Sequence, residues 1–211
     1  MTTLELIHHY WPQTPTTGNV REIPNVGRDL LAHLFNLLGF TRGVEIGTER
    51  GLYAEQLIMA NSKLHLHCVD PYQAYSGYRE HTSQTKLDTF YEEAQGRLNP
   101  YRVSIMRLPS VEAAVAFNDR SLDFVYIDGN HSLPYVVSDL HAWVPKVCKG
   151  GIVAGHDYIR RKRTGYLMHV PQAVHAYCDA YDIKPLFIVG RKEVRAGEVR
   201  DRPRSWMFVK E

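Results

Sequence analysis

The chain has 211 residues, 44% hydrophobic and 23% charged, enough for one compact domain with a sizeable core. A net charge of +2 supplies no global field for a nucleic acid, and no stretch approaches the roughly 18 apolar residues of a membrane helix. Cys68, Cys148 and Cys178 show neither CxxC pairing nor metal-finger spacing, so a reduced, cytoplasmic setting is expected.

The opening stretch, MTTLELIHHYWPQTPTTGN, lacks the basic-then-apolar order of a signal peptide. Residues 1–25 are polar and rich in proline and threonine, and are expected to form an N-terminal arm, with a single domain over 26–211. GRDLLAHLFNLLGF (27–40) places Leu30, Leu31, Leu34, Leu37 and Leu38 at helical spacing. Short apolar runs then alternate with helical stretches. The runs are RGVEIG (42–47), KLHLHCVD (63–70), YRVSIM (101–106), LDFVYID (122–128) and GGIVAGHD (150–157). This alternation predicts an α/β fold, a doubly wound and mainly parallel Rossmann-like sheet with helices on both faces. VPQAVHAYCDAYD (170–182) reads as a helix, followed by the runs KPLFIVGR (184–191) and SWMFVK (205–210) with no helix between them. That pair predicts one antiparallel edge strand in a sheet of seven.

The first strand-to-helix turn is VEIGTERGLYAEQL (44–57). A dinucleotide enzyme would carry G-x-G-x-x-G here for a pyrophosphate. This chain has G-x-x-x-G, Gly47 to Gly51, with Glu45 at the strand end. An acid in that place repels a pyrophosphate and suits a ligand bearing an ammonium or sulfonium, which argues against a nicotinamide dehydrogenase. Asp70 closes the second strand, 19 residues after Gly51, where an acid can accept both hydroxyls of a ribose.

Farther on, Asp128 ends the fourth strand and His131 follows three residues later, while the fifth strand ends in GHDY with His156 and Asp157. In an open α/β sheet, strands flanking the switch point share one crevice at their carboxyl ends. Each residue taken singly is equally a cap or a loop brace. Four ionisable groups at two neighbouring strand tips make a candidate site.

The E-x-G-x-x-x-G turn, the acid in CVDPY and the reversed terminal strand resemble class I S-adenosylmethionine-dependent methyltransferases, over residues 28–210. The resemblance implies that Glu45, Gly47, Thr48 and Gly51 wrap the methionine portion of the donor and that Asp70 holds its ribose. Ser110, in RLPSVEAA (107–114), falls in the adenine loop, with Pro109 where many relatives carry an acid. Asp128 would open onto the donor's reactive end.

The strand tips also resemble the metal-dependent O-methyltransferases of the catechol and macrolide-sugar type. That match implies Asp128, His156 and Asp157 as ligands of a divalent metal and His131 as the general base. Imidazole in the ligand set favours manganese or a softer ion over magnesium, unless His156 points elsewhere and Asp157 ligates with water. The implied acceptor is a hydroxylated small molecule such as a sugar or glycoside. Two alternatives stay open: a metal-independent enzyme assisted by His131 or Tyr158, and a non-catalytic S-adenosylmethionine-binding module. RRKR (160–163) is either a solvated loop or the partner of an anionic substrate, and one short patch gives nucleic acid little support. Residues 73–84 are a candidate lid or a docking surface of a homo-oligomer.

Overall fold

The computed structural model describes residues 1–15, 18–75, 83–159, 161–163, 166–193 and 195–211. The expected arm is structured. It contains helix α1 (Thr3–Tyr10) and strands β1 (Thr14–Pro15) and β2 (Val20–Ile23). Thr2 caps α1 by accepting the Glu5 N–H at 3.2 Å, while the Glu5 carboxylate accepts the Thr2 N–H at 2.7 Å. This T-x-x-E reciprocity starts a helix without help from a core. α1 then buries Ile7 completely, and β2 pairs in parallel with β10 (Leu186–Val189).

The rest follows the predicted alternation. α2 (Arg28–Leu37) leads to β3 (Arg42–Ile46), α3 (Leu52–Ala60), β4 (His65–Val69), α4 (Gln84–Leu98), β5 (Val103–Met106), α5 (Ser110–Ala114) and β6 (Leu122–Ile127). α6 (Leu133–Trp143) and one 3-10 turn (Val144–Lys146) precede β7 (Val147–Gly155). A small hairpin, β8 (Arg161–Arg163) and β9 (Tyr166–Met168), lies apart from the sheet, and α7 (Val170–Ala180), β10 and β11 (Trp206–Val209) complete the chain.

The main sheet runs β1-β2-β10-β11-β7-β6-β3-β4-β5, nine strands among the described residues where seven were expected. The two additions are β1 and β2, whose mixed polar composition hid them. The reversed strand also differs from expectation, because β11 is interior and lies antiparallel between β7 and β10. Its Trp206, Met207 and Phe208 are fully buried, and an edge position would have left one row of backbone groups and much of that apolar surface in water.

Both sheet faces are covered, which is why the central strands read as continuous apolar runs. Phe124 and Tyr126 of β6 meet Leu31 and Phe35 of α2 and Leu57 of α3 on one face. Val125 and Ile127 meet Val136 and Leu140 of α6 and Val174 of α7 on the other. Ile7 of α1 joins the first cluster. Ile7→Val should therefore cost about 1 kcal/mol and lower the melting temperature by about 3 °C. Thermal unfolding checks this, and an unchanged midpoint would return α1 to the status of an appendage.

Candidate functional site

The carboxyl ends of β7, β6, β3 and β4 stand side by side, each tied to its neighbour by a backbone hydrogen bond. The His156 N–H donates to Ile127 O at 3.0 Å, the Asp128 N–H to Ile46 O at 2.8 Å, and the Gly47 N–H to Val69 O at 2.8 Å. Strand order thus brings together residues from the first third of the chain and from its second half.

At the β3 tip, Gly47 has φ of +84°, and a Cβ there would lie 2.2 Å from the Asp128 carbonyl oxygen. Only glycine permits that approach. Gly51, also left-handed, opens α3. Between them, Thr48 is buried, and so is Glu45 just before the turn, at 2% exposure. Glu45 Oε2 and Thr48 Oγ1 have no well-formed hydrogen bond among the described residues. Burial pushes the Glu45 carboxyl up to about 8, the nearby Thr48 hydroxyl tempers this, Asp128 and Asp70 add to it, and Arg28 opposes it. A buried acid with an unsatisfied oxygen is stabilised by an incoming cation, so this turn fits the ammonium and sulfonium end of the expected donor.

The raised carboxyl has a consequence for stability. Glu45 contributes stability that is present below its ordinary value of 4.5 and is lost as pH rises through about 8. Relative to wild type, Glu45→Gln should gain roughly 5 °C in melting temperature across that window. Parallel melting-temperature profiles between about pH 5 and about pH 8 would reject the raised carboxyl.

Asp70 braces the β3 and β4 loops. Its carboxylate accepts the N–H groups of Glu49 and Tyr72, each at 2.9 Å, and the Tyr72 hydroxyl donates to Glu49 O at 2.8 Å. A carboxylate has about four acceptor positions, so bracing is compatible with the expected ribose contact.

Ser110 starts α5, and its hydroxyl accepts the Trp143 indole N–H at 2.8 Å. Asp139, buried one turn earlier on α6, joins this group: burial pushes its carboxyl up to about 7 and a hydrogen bond with Ser110 offsets part of the rise. A Cβ placed on Gly129 would lie 3.7 Å from Asp139 Oδ2, so the acid flanks the β6 tip as well. Spacing alone did not single out Asp139. The available signal was an acid embedded in the apolar stripe Val136–Leu140–Trp143.

The β6 and β7 tips hold the densest cluster. His131 Nε2 lies 3.0 Å from Asp157 Oδ2 and 3.5 Å from Asp128 Oδ1. His156 Nδ1 lies 3.3 Å from Asp157 Oδ2 and 3.7 Å from Asp128 Oδ1. Burial opposes ionisation of Asp157, yet hydrogen bonds from both histidines outweigh it and hold the carboxyl well below the usual carboxylate range. For His156 burial acts downward, but Asp157 and the charge of Asp128 raise the imidazole above its ordinary value. The backbone at Asp157 is left-handed, φ +53°, ending β7 in a sharp turn.

Ligand atoms of Asp128, His131 and Asp157 all lie within 4.8 Å of one another. Two carboxylates and one imidazole form a donor set that fits manganese, iron or zinc. His131, expected as the base, thus stands as close to both acids as a ligand would. Arg28, the first residue of α2, was absent from the predicted site. Its guanidinium lies 3.7 Å from Asp128 Oδ2 and 4.9 Å above the Tyr53 ring. No local pattern could have placed it a hundred residues away from its partner.

Of the expected lid, 76–82 lies outside the described residues, but the Tyr75 hydroxyl accepts from Asn130 Nδ2 at 3.1 Å, beside the β6 tip. In RRKR, Arg160 and the side chains of 161–163 also lie outside the described residues.

A family model described as a methyltransferase domain matches residues 44–158, from β3 to just past Asp157. No curated protein sequence matches the chain. Among solved structures, a candidate O-methyltransferase from Klebsiella pneumoniae is 16% identical, with 99% of this chain and 88% of that one covered, at a TM-score of 0.59. A candidate caffeoyl-CoA O-methyltransferase from Staphylococcus aureus is 16% identical over 99% and 93% of the two chains, at 0.57. The N-methyltransferase NodS from Bradyrhizobium japonicum is 14% identical over 87% and 94%, at 0.56. At such identities the likeness is one of fold, and fold does not choose the acceptor.

Proposed function

The chain belongs to the methyltransferase-domain family, and from that premise we propose that it transfers the methyl group of S-adenosylmethionine to a hydroxyl of a small molecule, assisted by a divalent cation. The observation that carries this reading is the convergence of Asp128, His131 and Asp157 at the β6 and β7 tips. The buried, cation-seeking turn at Glu45 and Thr48 lies one strand away. The likeness of the two tips to the macrolide-sugar type points the acceptor to a sugar or glycoside.

S-adenosylmethionine supplies a methyl group already activated by its sulfonium. A divalent cation held at the tips lowers the pKa of a nearby hydroxyl. In this reading the donor's methionine portion lies along Glu45, Gly47, Thr48 and Gly51, its ribose at Asp70 and its adenine near Ser110. Asp128 and Asp157, with the His156 imidazole, would hold the cation, which leaves His131 as the base. His131 would receive the hydroxyl proton, and the two carboxylates beside it would stabilise the resulting imidazolium. When bound, the donor would give up its methyl group to that oxygen and leave as a neutral thioether. Much of the rate comes from in-line positioning.

A metal-free version has one observation in its favour: the 3.0 Å His131–Asp157 contact is already a base and its orienting acid. Calorimetric titration of S-adenosylmethionine into metal-stripped and then manganese-loaded protein separates the readings. Donor binding with manganese uptake supports metal assistance, donor binding without uptake supports the metal-free version, and no donor binding removes both. Free thiols at Cys68, Cys148 and Cys178 fit a cytoplasmic setting, and among the described residues no helix is long and apolar enough to cross a membrane.

A further inference from the structure

Beyond the strand tips, a cavity of about 1410 Å³ opens between the carboxyl ends of β2 and β10, the 191–204 connection, the start of α7 and the residues after β7. It is lined by six cations: Arg191, Lys192, Arg195, Arg200, Arg202 and Arg204. Three carboxylates share the wall, Glu22, Glu193 and Asp201. The cavity's excess of three positive charges exceeds the +2 of the whole chain, so the remainder of the molecule is close to neutral or slightly acidic.

The carboxylates do not cancel this charge. Glu22 is engaged by Arg204 at 2.6 Å and by the Lys192 N–H at 3.0 Å. Asp201 is occupied in accepting the Arg28 N–H at 2.6 Å. Arg191 meets Glu198 at 3.7 Å, and Arg200 spends its guanidinium on the carbonyls of Arg191 and Lys192. Among the described residues, the buried Nε atoms of Arg191 and Arg200 have no hydrogen-bond partner. Burial lowers the Arg200 guanidinium from its ordinary value, the charges of Arg202 and Arg204 lower it further, and Glu22 opposes them. Among the described residues, the side chains of Lys192, Arg195 and Arg202 meet no carboxylate within 4 Å.

The cavity touches the proposed transfer centre at two points. Tyr158, next in sequence to Asp157, lies 5.5 Å beneath the Arg204 guanidinium and hydrogen-bonds His175 of α7 at 2.6 Å. Asp201 fixes the backbone of Arg28, whose guanidinium reaches Asp128.

We propose that this cavity is the acceptor subsite and that it recognises the phosphate or diphosphate group of a hydroxylated small molecule. The inference rests on the methyltransferase reading of the neighbouring tips. A single carboxylate needs one arginine, whereas three unpaired cations spread over a cavity of this size match a group with several charged oxygens. Confinement of the charge to a concave site, on a chain of low net charge, favours a small molecule over nucleic acid.

The test titrates inorganic pyrophosphate into the 211-residue protein, in chelator-containing buffer free of divalent ions, and compares wild type with the Lys192→Ala, Arg195→Ala, Arg202→Ala variant. S-adenosylmethionine is titrated into both. Wild type should bind pyrophosphate with submillimolar affinity, the variant at least about tenfold more weakly, and both should bind the donor equally. Wild-type protein that takes the donor but not pyrophosphate overturns the proposal, as does equal pyrophosphate binding by the variant. Tighter binding of a single-stranded RNA oligonucleotide that displaces pyrophosphate overturns it in favour of nucleic acid. Pyrophosphate binding by protein that takes no donor overturns the acceptor assignment through failure of the methyltransferase reading itself.

Discussion

Asp157→Asn is expected to lower manganese affinity at least ~100-fold and methyl transfer by about three orders of magnitude, while donor affinity stays within a factor of about three. Asparagine is the informative replacement because Asp157 has φ of +53°, a left-handed conformation that asparagine tolerates, so the β7 turn survives. What is lost is the charge. The Asp157 carboxylate contacts both His131 and His156, and their hydrogen bonds keep it ionised despite burial. Without it, in the metal-assisted reading, the cation would lose one of two anionic ligands, and His131 would lose the acid that orients it and stabilises its protonated form. Manganese binding followed by calorimetry reads the first effect, and single-turnover methyl transfer reads the second. Asp119→Asn, at an exposed acid paired with Lys146, is the control and should change neither. Unaltered manganese uptake by Asp157→Asn would place any metal elsewhere.

Gly47→Ala should lower the melting temperature by about 10 °C and weaken donor binding more than ~100-fold. Two causes add. A Cβ at φ +84° is strained by about 1–2 kcal/mol. It would also lie 2.2 Å from Asp128 O, 2.6 Å from Asp128 C and 2.8 Å from Gly129 Cα, all backbone atoms that cannot rotate away. Relief requires β3 and β6 to part at their tips, which moves Asp128 and opens the turn around Glu45. Overpacking of this kind costs about 1–3 kcal/mol more. Gly96→Ala tests the specificity of the argument. Nothing lies within 4 Å of its added methyl, it sits within α4, and it should stabilise by about 1 kcal/mol. Wild-type donor affinity in Gly47→Ala would show that the first turn does not hold the donor.

Much of this architecture was legible from the sequence. Five apolar runs of strand length, alternating with helical spacing, specified a parallel, doubly wound sheet. The turn Gly47–Gly51 and the acids Asp70 and Asp128 lie at strand ends, where the chain changes period and polarity together. Strand order then explains why Asp128, His131, His156 and Asp157 share a crevice. The misreadings are equally local. β1 and β2 are short and of mixed polarity; β2 is a strand because β10 offers it hydrogen bonds, and β1 because β2 does. β11 was read beside β10 alone because no pattern within SWMFVK says that a second partner, β7, lies on its other side.

Asp139, Arg28 and the cationic cavity mark the same boundary within the site. The periodicity of Asp139 shows that it faces inward, but its proximity to Ser110 follows from α6 packing beside α5. Arg28 touches Asp128, and Asp201 braces Arg28, through contacts spanning 100 and 173 residues. The six cations all fall within 191–204, but the cavity they line forms only where that connection meets β2, β10 and α7. The sequence by itself determined the elements, the turn chemistry and the residue types at the strand tips, because hydrophobic period and backbone preference act over a few residues. Only the tertiary structure decided that both imidazoles meet both acids, which arginine neighbours them and which elements the cationic stretch faces, because those distances depend on strand order and on helix packing across the sheet.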